Sequence, residues 1–75
     1  MYIVYSKDDC PWCSKAKTLL SNLGYEYQEK KLNIDFSKDD LKAILGENVK
    51  LTLPQVYHDD KYIGGFEDLV KHFGF

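Results

Sequence analysis

Tyr2-Ile3-Val4-Tyr5-Ser6-Lys7-Asp8-Asp9-Cys10-Pro11-Trp12-Cys13 is the stretch that decides the fold. Residues 2–5 form a short apolar run that reads as a buried strand, and Ser6–Asp9 form a polar loop. Beyond Cys13, Ala16, Leu19, Leu20 and Leu23 recur at helical spacing, so a helix starts near Cys10. Pro11 suits its first turn, where a missing N–H has no partner to lose, and Gly24 suits its left-handed C-terminus. Both cysteines of the chain, its only Trp and one of its two prolines fall at this strand-to-helix junction.

Working outward, Tyr25–Leu32 alternates partly and reads as a second strand with one solvated side. Phe36-Ser37-Lys38-Asp39-Asp40-Leu41 carries a helix-start signal. Ser37 caps, Asp39 and Asp40 lie in the first turn where the helix dipole favours negative charge, and Phe36 staples to Leu41. That helix runs to Leu45 and stops at Gly46. Leu51–Tyr57 is a third strand with its lead-in, and Pro54 belongs at the strand's start because it cannot donate to a ladder. Asp59-Asp60 turn the chain into a short fourth strand at Tyr62-Ile63. Gly64-Gly65 break it, and Glu67 and Asp68 open a last helix with Leu69, Val70 and Phe73 on its apolar face. The order is β-α-β-α-β-β-α. A strand–helix–strand crossover gives a parallel pair and the hairpin adds antiparallel strands. The expectation is an α/β fold, a four-stranded mixed sheet flanked by three helices, as one domain over residues 1–75. Tyr25, Tyr27, Phe36, Tyr57, Phe73 and the leucines are expected in or beside the core, and His58 and His72 on the surface.

Composition narrows the class. The chain of 75 residues is 44% hydrophobic and 29% charged, with six Tyr and four Phe for packing, which argues against disorder. A net charge of -2 gives no basic stripe for nucleic acid. No apolar run is long enough for a membrane span, and no basic-then-apolar leader is present. The expected compartment is therefore reducing and cytoplasmic, where a C-x-x-C pair is more often catalytic or metal-binding than structural.

Two thiols at this spacing suit redox chemistry. The thiolate is the nucleophile, and unpaired N–H groups at a helix N-terminus stabilise it. Cys10 at the N-cap is the expected attacking sulfur, with a lowered pKa. Cys13, one turn on and more buried, attacks the mixed disulfide and releases the product. Lys7 adds a nearby cation, whereas Asp8 and Asp9 oppose the thiolate. Two other readings stand beside this one: inert structural thiols, or half of a zinc site. The remaining zinc candidates, His58 and His72, lie 14 positions apart, far from the spacing of a zinc finger.

The chain resembles a dithiol glutaredoxin, of the small bacterial or phage-like type, in the thioredoxin fold. Three blocks carry the resemblance: Tyr5–Cys13, Thr52-Leu53-Pro54-Gln55-Val56-Tyr57, and Gly64-Gly65-Phe66-Glu67-Asp68-Leu69. It implies a cis Pro54 facing the cysteines, with the Leu53 backbone turned outward to pair with the cysteinyl part of glutathione. It also implies that Gly65, Glu67 and Asp68 receive the γ-glutamyl end. The N–H groups of Glu67 and Asp68 at a helix start suit a carboxylate, and the Asp68 side chain suits an ammonium. Lys7, Lys50 and more weakly Lys15 are candidates for the glycine carboxylate, and Trp12 and Thr52 line the groove. Two residues depart from the family pattern: Trp12, where Tyr is commoner, and Glu67, where a small polar residue is commoner.

The implied activity is glutathione-dependent thiol–disulfide exchange. Protein disulfides are reduced through Cys10 and Cys13, and glutathione mixed disulfides through Cys10 alone. Glutathione is the co-substrate, no cofactor or metal is bound, and the protein is a monomer. Its partners are disulfide-containing clients, with ribonucleotide reductase a client class, and neither nucleic acid nor membrane. One alternative is a thioredoxin-like redoxin reduced directly by a flavoprotein reductase. Its usual Trp-Ser-Gly-Phe block is replaced here by Ile63-Gly64-Gly65-Phe66. An iron–sulfur carrier is the other, although such carriers mostly have one active-site cysteine followed by Gly-Phe-Ser.

Overall fold

The computed structural model describes residues 1–46 and 51–75. Its elements are β1 (Tyr2–Ser6), α1 (Pro11–Asn22), β2 (Tyr27–Lys31), α2 (Lys38–Leu45), β3 (Gln55–His58), β4 (Lys61–Gly64) and α3 (Phe66–His72). The sheet order is β2-β1-β3-β4. β1 runs parallel to β2 and antiparallel to β3, and β3 pairs antiparallel with β4. This is the four-stranded mixed sheet with three helices that the element order implies.

Alternation along β1 divides the core into two clusters. Tyr2 and Val4 face one side, where they meet Ala16 and Leu20 of α1, Val56 of β3 and Leu69 of α3. Tyr5 faces the other side with Phe36 and Leu41, and Ile3, Leu53 and Tyr57 pack against that cluster. Helices therefore cover both faces, which lets a central strand such as Tyr2–Ser6 be apolar on both sides.

The helix ends are set by local chemistry. Behind α1, Gly24 has φ +80°, its N–H donates to the Ser21 carbonyl, and the Tyr25 N–H reaches back to Leu20. This pair of bonds is a Schellman stop. It holds Tyr25 and Glu26 out of β2, which begins at Tyr27 rather than Tyr25. It also leaves Tyr25 46% exposed, so that residue is a rim aromatic against Phe73 rather than core. Leu23, the C-cap, is likewise exposed. At α2, the Ser37 hydroxyl accepts from the Asp40 N–H at 3.1 Å and the Asp40 carboxylate accepts from the Ser37 N–H at 2.9 Å. These reciprocal bonds pull the Asp40 carboxyl below its ordinary pKa. α3 starts one residue earlier than expected, at Phe66, with Gly65 as its N-cap.

His72 is exposed and His58 partly so, as expected, and both touch Tyr2. His58 stacks on the Tyr2 ring at 4.3 Å, and His72 Nε2 lies 3.2 Å from the Tyr2 hydroxyl. They sit at the end of β1 opposite the loop that leads to Cys10, so they do not complete a metal site with the cysteines. Among the described residues no helix is long and apolar enough to cross a membrane.

Candidate active site

Cys10 is the N-cap of α1, with extended backbone at φ -120° and ψ 98°. Its sulfur accepts from the Cys13 N–H at 3.2 Å, and its carbonyl accepts from the Ser14 N–H at 3.1 Å. Pro11 occupies the first helical position. One of the free N–H groups of the helix start is thus aimed at Cys10 Sγ, where it favours a thiolate once the sulfur is reduced. Cys10 and Cys13 are joined as a disulfide with Cα atoms 5.2 Å apart. Cys10 is 9% exposed and Cys13 only 1%, so Cys10 is the more accessible of the two.

A groove of about 240 Å³ beside this helix start is lined by Trp12, Thr52, Leu53, Pro54, Gly65, Phe66, Glu67 and Asp68. The Leu53–Pro54 bond is cis, and the Leu53 carbonyl oxygen lies 3.8 Å from Cys10 Sγ. In the disulfide that sulfur has no hydrogen to donate. In the reduced protein a thiol there can donate to Leu53. The opposite wall comes close: a Cβ on Gly65 would lie 3.7 Å from the Pro54 carbonyl oxygen. Asp68 accepts from the Gly65 N–H at 3.1 Å, which fixes its carboxylate at the head of α3. Trp12, 51% exposed, tilts over Phe66 at 5.6 Å, and the Lys15 ammonium lies 4.3 Å from the Trp12 ring. Lys15 is therefore engaged with Trp12 by a cation–π contact.

Lys7 is exposed and lies outside that groove. It lines a polar depression with Asp8, Asp9, Cys10, Pro11, Ser14, Lys17, Glu29 and Lys31. It also lines a smaller hollow with Lys38, Leu41, Leu51, Thr52 and Leu53. Thr52 and Leu53 therefore stand between the groove and a hollow edged by two lysines. Lys50 lies outside the described residues.

Several contributors were not singled out in the sequence. Lys31 donates to Asp8 at 3.2 Å and so draws off one of the two negative charges ahead of Cys10; that pairing raises the Lys31 pKa. Lys17 donates to Glu29 at 2.7 Å, and the fully buried Ser6 donates to the same oxygen at 2.6 Å. The two bonds hold the Glu29 carboxyl below its ordinary pKa, the Lys17 bond contributing most. Lys17 follows Cys13 by one helical turn, a spacing visible in the sequence. The placement of Glu29 and Lys31 depends on the β1–β2 register, which is not. Phe66 lines the groove, and Lys38 edges the neighbouring hollow.

A dithiol bridging a helix start, with a cis-proline loop against it on a mixed sheet, defines a thiol–disulfide oxidoreductase of the thioredoxin-like fold. Comparisons give the particular branch. The glutaredoxin family model matches residues 2–63. Glutaredoxin 3 of Escherichia coli K12 is 38% identical over 66 residues, spanning 88% of this chain and 77% of that protein. The hybrid peroxiredoxin hyPrx5 of Haemophilus influenzae is 39% identical over 70 residues. These cover 93% of this chain, which spans only 28% of the hybrid's length. The crystal structure of the buckwheat glutaredoxin–glutathione complex superposes with a TM-score of 0.81 at 32% identity, over 96% of this chain and 66% of that one. The chain belongs to the glutaredoxin family.

Proposed function

We propose that residues 1–75 form one glutaredoxin domain that uses glutathione as co-substrate, with Cys10 as nucleophile and Cys13 as resolving thiol. The observation that carries this reading is the Cys13 N–H on Cys10 Sγ, a sulfur 3.8 Å from the carbonyl of Leu53, which lines the Trp12–Asp68 groove. That a relative has been crystallised with glutathione supports the choice of ligand.

In the monothiol route, the Cys10 thiolate attacks the glutathione sulfur of a mixed disulfide. The client sulfur leaves as a thiolate and takes a proton from water. A second glutathione thiolate then attacks the Cys10-bound glutathione, giving glutathione disulfide and restoring the Cys10 thiolate. In the dithiol route, Cys10 attacks a protein disulfide and Cys13 attacks the Cys10 sulfur. The client leaves with both sulfurs reduced, and two glutathione molecules reduce the Cys10–Cys13 disulfide.

In the ligand pose, the Leu53 backbone pairs with the cysteinyl unit and Thr52, Pro54 and Trp12 flank it. Gly65, Glu67 and Asp68 receive the γ-glutamyl end, where the Asp68 carboxylate has lone pairs to accept from its ammonium. Lys7, joined by Lys38, receives the glycine carboxylate. The protein acts as a monomer in the cytoplasm on disulfide-bearing clients, with a ribonucleotide reductase among the client classes.

Steady-state turnover of a glutathionylated peptide, coupled to glutathione and its reductase, tests the reading. Activity retained by Cys13→Ser and abolished by Cys10→Ser supports it. Reduction only by a thioredoxin-type flavoprotein reductase overturns it.

A further inference from the structure

We propose that Gln55 and Tyr62 are positioning residues that aim the Leu53 backbone at the substrate, a role that rests on the glutathione reading above. Gln55 is 2% exposed and directly follows Pro54. Its Nε2 donates to the Thr52 carbonyl at 2.8 Å and lies 3.4 Å from the Thr52 hydroxyl. Its Oε1 accepts from the Tyr62 hydroxyl at 2.7 Å. Chemistry fixes the direction of this chain. A backbone carbonyl only accepts, so the amide NH₂ must face Thr52. The amide oxygen then faces Tyr62, whose hydroxyl must donate. Burial, and secondarily the Asp68 charge, raise the Tyr62 pKa and keep that proton in place. The Tyr62 ring is braced against Tyr57 at 5.3 Å.

Peptide planarity carries the effect to the groove. The Thr52 C=O and the Leu53 N–H belong to one trans peptide unit and point to opposite sides of it. Anchoring the carbonyl on a buried amide turns the Leu53 N–H the other way, toward the groove that Thr52 and Leu53 line. That N–H is one of the two backbone groups with which the cysteinyl unit of glutathione pairs, the other being the Leu53 carbonyl beside Cys10. With the anchor broken, the peptide unit is free to rotate about its flanking φ and ψ angles, and the substrate has to order it on binding. The loss therefore falls on KM for the glutathionyl substrate rather than on kcat.

Two variants test this with the glutathionylated-peptide assay. Loss of one net hydrogen bond predicts a KM about 3- to 10-fold higher in Tyr62→Phe, and in Gln55→Glu in mildly alkaline buffer, with kcat changed less than about twofold. Gln55→Glu carries its own rescue. An ionised carboxylate accepts from Tyr62 but cannot donate to Thr52, whereas a protonated carboxyl does both. The ratio of variant to wild-type KM should therefore fall toward one as the pH is lowered through that carboxyl's titration. Among the described residues, the other titratable groups near this position are the phenols of Tyr62, of Tyr57 against it and of the β1 neighbour Tyr5, and Asp68 on the far wall. Dividing by wild type at each pH cancels their contribution. A purely structural role would lower the melting temperature without producing this pH-dependent ratio. Should Gln55→Glu fail to fold, Tyr62→Phe decides alone, since it removes only a hydroxyl from a half-exposed ring. Unchanged KM in Tyr62→Phe, or a Gln55→Glu ratio that is flat with pH, overturns the proposal alone. Absence of glutathione turnover in wild type overturns the functional reading and this proposal together.

Discussion

Replacing Glu29 by Gln should destabilise the protein at neutral pH and make almost no difference in acid. The Glu29 carboxylate accepts from Lys17 at 2.7 Å and from Ser6 at 2.6 Å, and so ties α1 to the β1–β2 pair beside Cys10. Lys17 and Glu29 side chains are 26% and 25% exposed, so the pair sits between a surface ion pair and a buried one. Exposed pairs contribute about 0.2–1 kcal/mol, and a hydrogen bond to a buried charge about 1.5–3 kcal/mol. Gln keeps the shape and can still accept, so the loss is the charge-assisted part, roughly 1 kcal/mol. In a domain of this size that corresponds to a fall of about 4–8 °C in melting temperature. The sign of the pH dependence follows from the lowered Glu29 pKa. The stabilisation is fully present above the unfolded value of about 4.3 and is lost as the pH falls through the folded value. Thermal unfolding of wild type and Glu29→Gln, followed by circular dichroism from neutral to strongly acid buffer, measures it. Equal stability at neutral pH, or a difference that persists undiminished in acid, would refute the reasoning.

Other consequences are equally direct. Asp68→Asn removes the charge at the head of α3, so KM for a glutathionylated substrate should rise about 3- to 10-fold while KM for a small disulfide lacking the γ-glutamyl group stays level. Gly64→Ala places a Cβ at φ +123°, 2.8 Å from Asp68 Cγ. Melting should show a loss of about 1–3 kcal/mol for that strained contact. Trp12 is the only Trp and lines the groove, so its emission should change saturably when glutathione is titrated into Cys13→Ser. An unaltered spectrum would place the ligand elsewhere.

Features governed by a few consecutive residues were legible in the sequence. The Cys10 N-cap and the Ser37 cap follow from side chains reaching backbone within one turn, and the Gly24 stop from backbone bonds at a residue that takes a positive φ without strain. The parallel β1–β2 pair and the β3–β4 hairpin follow from a crossover and a short turn, whereas the β1–β3 pairing that completes the sheet order has no local signal. What stayed hidden depends on register and on long-range approach. Val4 opposes Glu29 and Ser6 opposes Lys31 across the parallel pair, and this alone brings Glu29 to Ser6 and Lys17, and Lys31 to Asp8. No local pattern marks those residues. Tyr25 misleads because an aromatic next to a strand reads as core, whereas the Schellman bond to Leu20 keeps it on the rim. Gln55 follows Pro54 without any visible signal, since its partners Thr52 and Tyr62 meet only when the hairpin closes over the loop.

The assignment of Cys10 as nucleophile and Cys13 as resolving thiol is the central claim, and trapping tests it most directly. Cys13→Ser and Cys10→Ser are each incubated with glutathione disulfide, and the adducts are mapped by mass spectrometry of proteolytic peptides. The account predicts one glutathionyl group on Cys10 in Cys13→Ser, and little or none on the buried Cys13 in Cys10→Ser. Preferential modification of Cys13, or no adduct on either variant, would contradict it.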